Sequence, residues 1–183
     1  TSGEFSAEPG EFWEYSSAST QLLAIALTRA LKNKDENATL AGYLSEILWK
    51  PLGMNDDGVW HLDGSDMELA FCCLNTNARN YAKLGMLMLN NGVWNGQQLL
   101  PAGLVEKMIE PVGQDYYGYS TWLGLDHEPA YYNMSGHLGQ FVIVVPEHNL
   151  VIVRLGEGTD PNREMMESEI PFIIEEALGL RIE

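Results

Sequence analysis

Tyr15 stands just ahead of a strongly helical run, in the stretch EYSSAST, with Ser16 and Ser17 directly behind it. A phenol at a helix entrance commonly packs as a staple or sits as a surface ring, and it can also carry a proton. The last use is demanding. An unperturbed phenol titrates at about 10 and is a poor base at neutral pH unless a nearby ammonium favours phenolate. Lys32 and Lys34 lie at the far end of the same helix, several turns away at about 1.5 Å per residue, and cannot activate it. A second stretch, GHLGQ, sets His137 between Gly136 and Gly139 and is followed by β-rich residues. The glycines let a ligand backbone approach the start of the strand at Gln140. A lone histidine beside glycines is otherwise a loop residue.

Other residues invite chemistry and carry plainer readings. His61-Leu62-Asp63 begins a metal-ligand pattern that nothing completes, so a solvated loop is expected and no metal. Asn37-Ala38-Thr39 and Asn133-Met134-Ser135 match the glycosylation triplet, which is common by chance. Arg79 is expected to anchor a helix by hydrogen bonds. Tyr117, Tyr119 and Trp122 are expected in the core or on the sheet surface, with a pocket wall as the minority alternative.

The chain that must position these residues has 183 residues, 45% of them hydrophobic, enough for one domain or a large part of one. Lys+Arg 10 against Asp+Glu 26 gives a formal net charge of -16, which repels phosphate backbones and anionic lipid, so neither nucleic acid nor membrane is an expected partner. No apolar run reaches the roughly 18 residues of a membrane span, and the opening TSGEFSAEPG lacks the features of a signal peptide. Cys72 and Cys73 are adjacent; pairing them closes a strained ring, so no disulfide framework is expected and the compartment, extracytoplasmic or cytoplasmic, stays open.

Leu22, Leu23, Ala26, Leu27, Ala30 and Leu31 recur at spacings of three and four and predict one apolar helical face, with Ser16 or Ser17 as its cap. A second helix is predicted from about Leu40, stopped by Pro51 and Gly53. A third runs through NARNYAKLGMLMLNNG with Ala78, Tyr81, Ala82, Gly85, Met86 and Leu89 on one face, and a short fourth follows Pro101 through Val105 and Met108. YYGYSTWLGL, HLGQFVIVV and LVIVRLG then predict antiparallel strands from about Tyr117 to Gly156, with Pro146-Glu147-His148-Asn149 as the loop between the last two. These runs barely alternate, so a sheet covered on both faces is expected. IPFIIEEALGL predicts a covering helix, with Pro171 tolerated in its first turn. The fold class is therefore α+β, an antiparallel sheet with a C-terminal covering helix plus a helical region, read as a single partial domain that is mainly helical over about 1–112 and sheet plus helix over about 113–183.

Three segments in order, PGEFWEYSSASTQLLA, CCLNTNARNYAKLGMLMLNNGVWNGQQLLP and GHLGQFVIVVPEHNLVIVRLG, resemble the carboxy-terminal half of a penicillin-recognising serine hydrolase. The closest look is to the class C β-lactamase-like branch of esterases, D-amino-acid peptidases and 6-aminohexanoate-dimer hydrolases, over nearly the whole chain. The resemblance implies a β-lactamase/transpeptidase-like fold, an acyl-enzyme mechanism on ester, amide or peptide substrates, and no cofactor. It matches the family's Tyr motif to Tyr15-Ser16-Ser17, with Tyr15 moving protons, and the family's third motif to His137-Leu138-Gly139, with the Gln140 N–H on the oxyanion and Ser17, Gly136, Leu138 and Gly139 against substrate. It also implies that Tyr15 and His137 meet in space.

Two departures bear on substrate. Ser17 replaces the usual motif Asn and is shorter, and His137 replaces a permanently charged Lys; both argue against tuned penicillin destruction and for an esterase, amidase or peptidase role. The Ser-Ser pair, with CCLN and ARNYAKLG, tilts toward the 6-aminohexanoate-dimer-hydrolase-like members. A third departure is larger. No serine has a lysine three places on, so the nucleophile motif Ser-x-x-Lys is absent. The chain is then either the carboxy-terminal part of a hydrolase, whose partner is the amino-terminal part of the same protein, or a catalytically empty relative that binds peptides or another partner.

Overall fold

The computed structural model describes residues 7–8, 10–156 and 169–180. The opening residues 1–6, examined above for a leader, lie outside them.

Helix α1 (Ser17–Lys32) begins where expected, with Ser16 in extended conformation at the cap position, although no side-chain cap bond forms there. Its orientation differs from expectation. Ala24 and Thr28 are buried, whereas Leu22 is 65% exposed, Leu23 70% and Leu27 41%. The 3.6-residue period located an apolar stripe, but within this chain the opposite stripe packs inward. Gln21 fixes that docking: its amide donates to Glu68 O at 3.0 Å and accepts from Ala70 N at 2.9 Å.

Helix α2 (Leu40–Leu44) is capped by Thr39, whose Oγ1 accepts from Gly42 N at 3.0 Å, and continues into a wider helical turn over Ser45–Trp49 before Pro51 and Gly53. The buried Glu68 carboxylate accepts from Ala41 N at 2.9 Å in the first turn, where the helix dipole favours an anion. Strands β1 (Val59–Trp60) and β2 (Leu74–Asn75) form a small hairpin. Between them Cys72 and Cys73, expected to pair only by closing a strained ring, are bonded to each other with their Cα atoms 3.7 Å apart. A left-handed backbone at Cys73 (φ 71°) turns the two sulfurs together. The bond closes a local ring and ties no distant segments.

Helix α3 (Ala78–Leu89) carries the anchor expected of Arg79 one residue later. Arg79 is exposed, whereas Asn80 is fully buried and takes Asn55 N, Asp56 O and Thr76 Oγ1 at 2.8–3.1 Å. The helix lies so close to the sheet that a Cβ on Gly85 would stand 2.5 Å from Val151 Cγ1 and 2.9 Å from Val142 Cγ1. Strands β3 (Val93–Trp94) and β4 (Gln97–Gln98) form a tight hairpin through Asn95-Gly96, both at positive φ, as two-residue turns require. Helix α4 (Leu104–Met108) follows Pro101.

The main sheet is a four-stranded antiparallel meander of β5 (Trp122–Gly124), β6 (Tyr131–Gly136), β7 (Gln140–Val145) and β8 (Leu150–Arg154), in that order. β7 is central and both its faces are covered. Phe141, Ile143 and Val145 pack with Ile170 and Ile174 of helix α5 (Glu169–Leu178), while Val144 packs with Tyr132, Leu123, Met88 and Val105 on the α3 side. The continuous apolar run is thus two alternating sets serving two cores.

Burial pushes the Tyr132 hydroxyl up to about 12. The group is held protonated in the folded chain while the unfolded phenol ionises at about 10. Its contribution is complete below pH 10 and is lost as pH rises toward 12, at most about 3 kcal/mol in all. Denaturant unfolding between pH 9 and 12 should show this loss, and Tyr132→Phe should flatten it relative to the parent; equal alkaline slopes for the two proteins would refute it.

Candidate functional site

Tyr15 belongs to a cluster of rings. It meets Tyr117 edge-on at 5.9 Å and lies tilted over Trp122 at 5.4 Å. Trp122 in turn meets Tyr117 at 4.8 Å and stacks with Tyr116 at 6.4 Å, and Trp13 closes against Tyr116 and Tyr117 at 5.7 and 5.2 Å. Edge and offset contacts of this kind suit the ring quadrupoles and fix orientation as well as burying area. Tyr116 and Tyr117 are presented by a loop held on its own backbone: Tyr117 O accepts from Val112 N at 2.8 Å, Gly118 N donates to Thr121 O at 2.8 Å, and Tyr119 N donates to Met108 O at 3.0 Å. Tyr119 is half exposed beneath the Lys107 ammonium, 5.6 Å from its ring.

Trp122 places this cluster on the sheet, directly opposite Asn133 of β6. The pairing of β5 with β6 stops there, so Met134, Ser135 and Gly136 have no β5 partner on that side. Three residues beyond Asn133, about 10 Å along the strand, β6 turns into β7 through His137-Leu138-Gly139. Leu138 (φ 60°) and Gly139 (φ 77°) both take the left-handed backbone that a tight turn needs, costly for a leucine. Gly136 and His137 are exposed at the turn.

Three of the expected substrate and oxyanion residues serve the turn's construction. Leu138 packs its side chain against the α5-side core. Gly139 O accepts from Arg154 Nη1 at 2.5 Å. Gln140 binds Gly156 through its amide, accepting from Gly156 N at 3.0 Å, and also donates to Leu138 O at 3.3 Å. Gln140 therefore opens β7, paired with Gly136 of β6. Ser17 is exposed in the first turn of α1.

Trp122 and Tyr116 also line a cavity of about 270 Å³ with Leu123, Tyr131, Asn133, Ser135 and Ile170. The sequence offered Asn133 and Ser135 only as a glycosylation triplet, and Asn133, 2% exposed in mid-strand, is not an acceptor for that chemistry. The Asn133 Oδ1 and Ser135 Oγ atoms are buried without hydrogen-bond partners. Their signal was their place: polar residues at i and i+2 between aromatic and β-branched residues, on one face of a strand. At His61-Leu62-Asp63, Asp63 Oδ1 accepts from Ser65 N at 2.7 Å and Met67 N at 3.1 Å, a turn motif, and no three-residue metal grouping exists among the described residues. No helix of the described residues is long and apolar enough to cross a membrane.

An antiparallel meander backed by one helix on each face, with a helical region before it, is a β-lactamase/transpeptidase-like fold. The chain belongs to the Beta-lactamase family, matching it over residues 2–170. It is 26% identical over 166 residues to the 6-aminohexanoate-dimer hydrolase of Paenarthrobacter ureafaciens, covering 84% of this chain and 41% of that protein. Among solved structures it resembles a Bacillus anthracis protein provisionally named a 6-aminohexanoate-dimer hydrolase, with TM-score 0.81, 27% identity, and coverage of 98% of this chain and 48% of that one. A Bacteroides dorei protein provisionally named a beta-lactamase shares the fold, with TM-score 0.67, 15% identity, and coverage of 92% of this chain and 60% of that one. The chain thus spans less than half the length of the two 6-aminohexanoate-dimer-hydrolase relatives.

Proposed function

We propose that this chain is the carboxy-terminal portion of a serine hydrolase that cleaves ester, amide or peptide bonds through an acyl-enzyme, its nucleophile lying on a segment outside these residues. The observation that carries this is the outward apolar stripe of α1: Leu22, Leu23 and Leu27, 65, 70 and 41% exposed, adjoin the tyrosine motif in a family member that has no Ser-x-x-Lys. Monomeric surfaces rarely leave such a stripe uncovered, and the amino-terminal part of the same protein is the partner proposed to cover it. Tyr15 then carries protons between serine and leaving group, with its ring already oriented by Tyr117 and Trp122. The turn from Gly136 to Gln140, with His137 at its exposed side, borders the reacting carbonyl, and a backbone N–H there shares the oxyanion with one from the nucleophile's own residue. No cofactor or metal enters this scheme.

A second function, a catalytically empty binding module, is favoured by the cavity beside Trp122, which residues of this chain line. Covalent labelling separates the two. A fluorophosphonate should leave the purified 183-residue chain unlabelled and should modify the full-length parent at the serine of an upstream Ser-x-x-Lys. Labelling of any serine in this chain, or a full-length parent without that motif, would overturn the proposal.

A further inference from the structure

The bond between Cys72 and Cys73 does little to hold the fold together. A crosslink stabilises mainly by closing a long loop of the unfolded chain, and adjacent residues enclose none. Its effect is local. Cys73 keeps a left-handed backbone (φ 71°), which asparagine and aspartate take readily and cysteine seldom does. That turn ends a segment, Glu68 to Cys73, on which several neighbours hang. Cys73 O accepts from His61 N at 3.1 Å and from Asn75 Nδ2 at 3.0 Å, and Cys72 O accepts from Trp60 Nε1 at 3.2 Å. Cys72 N donates back to Leu69 O at 3.1 Å. The same segment carries both bonds that dock α1, from Glu68 O and Ala70 N to the Gln21 amide, and the Glu68 carboxylate that accepts from Ala41 N of α2.

We propose that Cys72 and Cys73 form a site of thiol–disulfide exchange, and that its reduction releases α1 from the segment that docks it. Both cysteines are half-buried, within reach of a small thiol, and accessible disulfides are the exchangeable ones. An incoming thiolate attacks one sulfur, forms a mixed disulfide with it and expels the other sulfur as a thiolate, which takes up a proton. A second thiol then attacks the mixed disulfide and frees the first cysteine. In sum two electrons and two protons pass from two thiols to the pair, and those thiols leave joined as their own disulfide. The chain has 2 cysteines, so no third thiol of these residues diverts the exchange. Once the ring is open it no longer holds Cys73 at positive φ, and the backbone relaxes toward the ordinary extended or helical range. Leu69 and Ala70 move with it, and the Gln21 amide loses its partners. The redox state of the pair is thereby coupled to the helix whose entrance carries Tyr15.

The probe is dithiothreitol, added to the natively folded full-length parent. Peptide mass spectrometry after alkylation with iodoacetamide should find Cys72 and Cys73 both alkylated, and neither without the reductant. Backbone hydrogen exchange of the same samples should quicken about tenfold at Ala70 and through α1, with α3 and β7 unchanged. Cys72→Ser cannot form the bond and should show the faster exchange with or without dithiothreitol. If that variant does not fold, the oxidised and reduced parent carry the test alone. Gln21→Ala should exchange quickly through α1 in both redox states, because the tie itself is gone. A pair that stays bonded until the parent is denatured overturns the proposal. So does reduction that leaves exchange at Ala70 and α1 as it was, or that quickens α3 and β7 equally. A response to dithiothreitol that survives in Cys72→Ser or in Gln21→Ala overturns it as well. No readout here depends on ester turnover, so this site and the hydrolase function stand or fall separately.

Discussion

Tyr15→Phe in the full-length parent should lower ester turnover by roughly 10²–10⁴, about 3–5 kcal/mol of barrier, and leave thermal unfolding nearly unchanged. The substitution keeps the ring and therefore its contacts at 5.9 Å with Tyr117 and 5.4 Å with Trp122. Only the hydroxyl goes. Tyr15→Ala removes the ring as well and should cost stability too, about 1–2 kcal/mol, because the ring is 40% exposed and its loss forfeits two aromatic contacts. Steady-state turnover and thermal melts of both variants separate proton transfer from packing. Turnover of Tyr15→Phe within about threefold of the parent would reduce Tyr15 to a packing residue.

The second large effect is structural and needs no assumption about chemistry. A Cβ on Gly118 would stand 2.2 Å from Met108 O and 2.8 Å from Glu110 O. Both are backbone atoms, so no side chain can swing aside, and the loop is pinned on both sides by the Tyr119–Met108 and Gly118–Thr121 bonds. Gly118→Ala should therefore destabilise the fold by about 3 kcal/mol, at the upper end for overpacking. It should also displace Tyr116 and Tyr117 and loosen the support of Tyr15. Denaturant unfolding gives the first effect, and near-ultraviolet circular dichroism, which reads aromatic packing, gives the second. A variant within about 0.5 kcal/mol of the parent would show that the backbone yields where the geometry says it cannot.

Much of the fold was legible because its elements obey one period each. NARNYAKLGMLML and FVIVV name their own structure, and the second could be read as a strand covered twice because it never alternates. Strand β6 lies inside the predicted strand region but has no run of its own to mark it: YYNMSG interrupts its apolar pattern with Asn133 and Ser135, the two residues that give the cavity its polarity. The stripe on α1 was found, but periodicity marks which side chains share a face and not what lies against them. Asn80 went unremarked next to Arg79 because burial of a neutral amide depends on a loop 24 residues away, around Asp56. The motif residues were legible by resemblance; that Leu138, Gly139 and Gln140 hold the turn together emerges only from where Arg154 and Gly156 fall.

The outward stripe of α1 has a colloidal consequence for the chain on its own. With a formal net charge of -16, molecules repel one another at neutral pH and the exposed leucines meet only against that repulsion. The isoelectric point is about 4.4. As pH falls toward it the barrier disappears while the leucines stay, and added salt shortens the reach of the repulsion to about 8 Å at 0.15 M. Light scattering of the isolated chain should therefore rise on mild acidification well before any unfolding, and Leu23→Glu, which puts a charge at the most exposed leucine of the stripe, should postpone that rise.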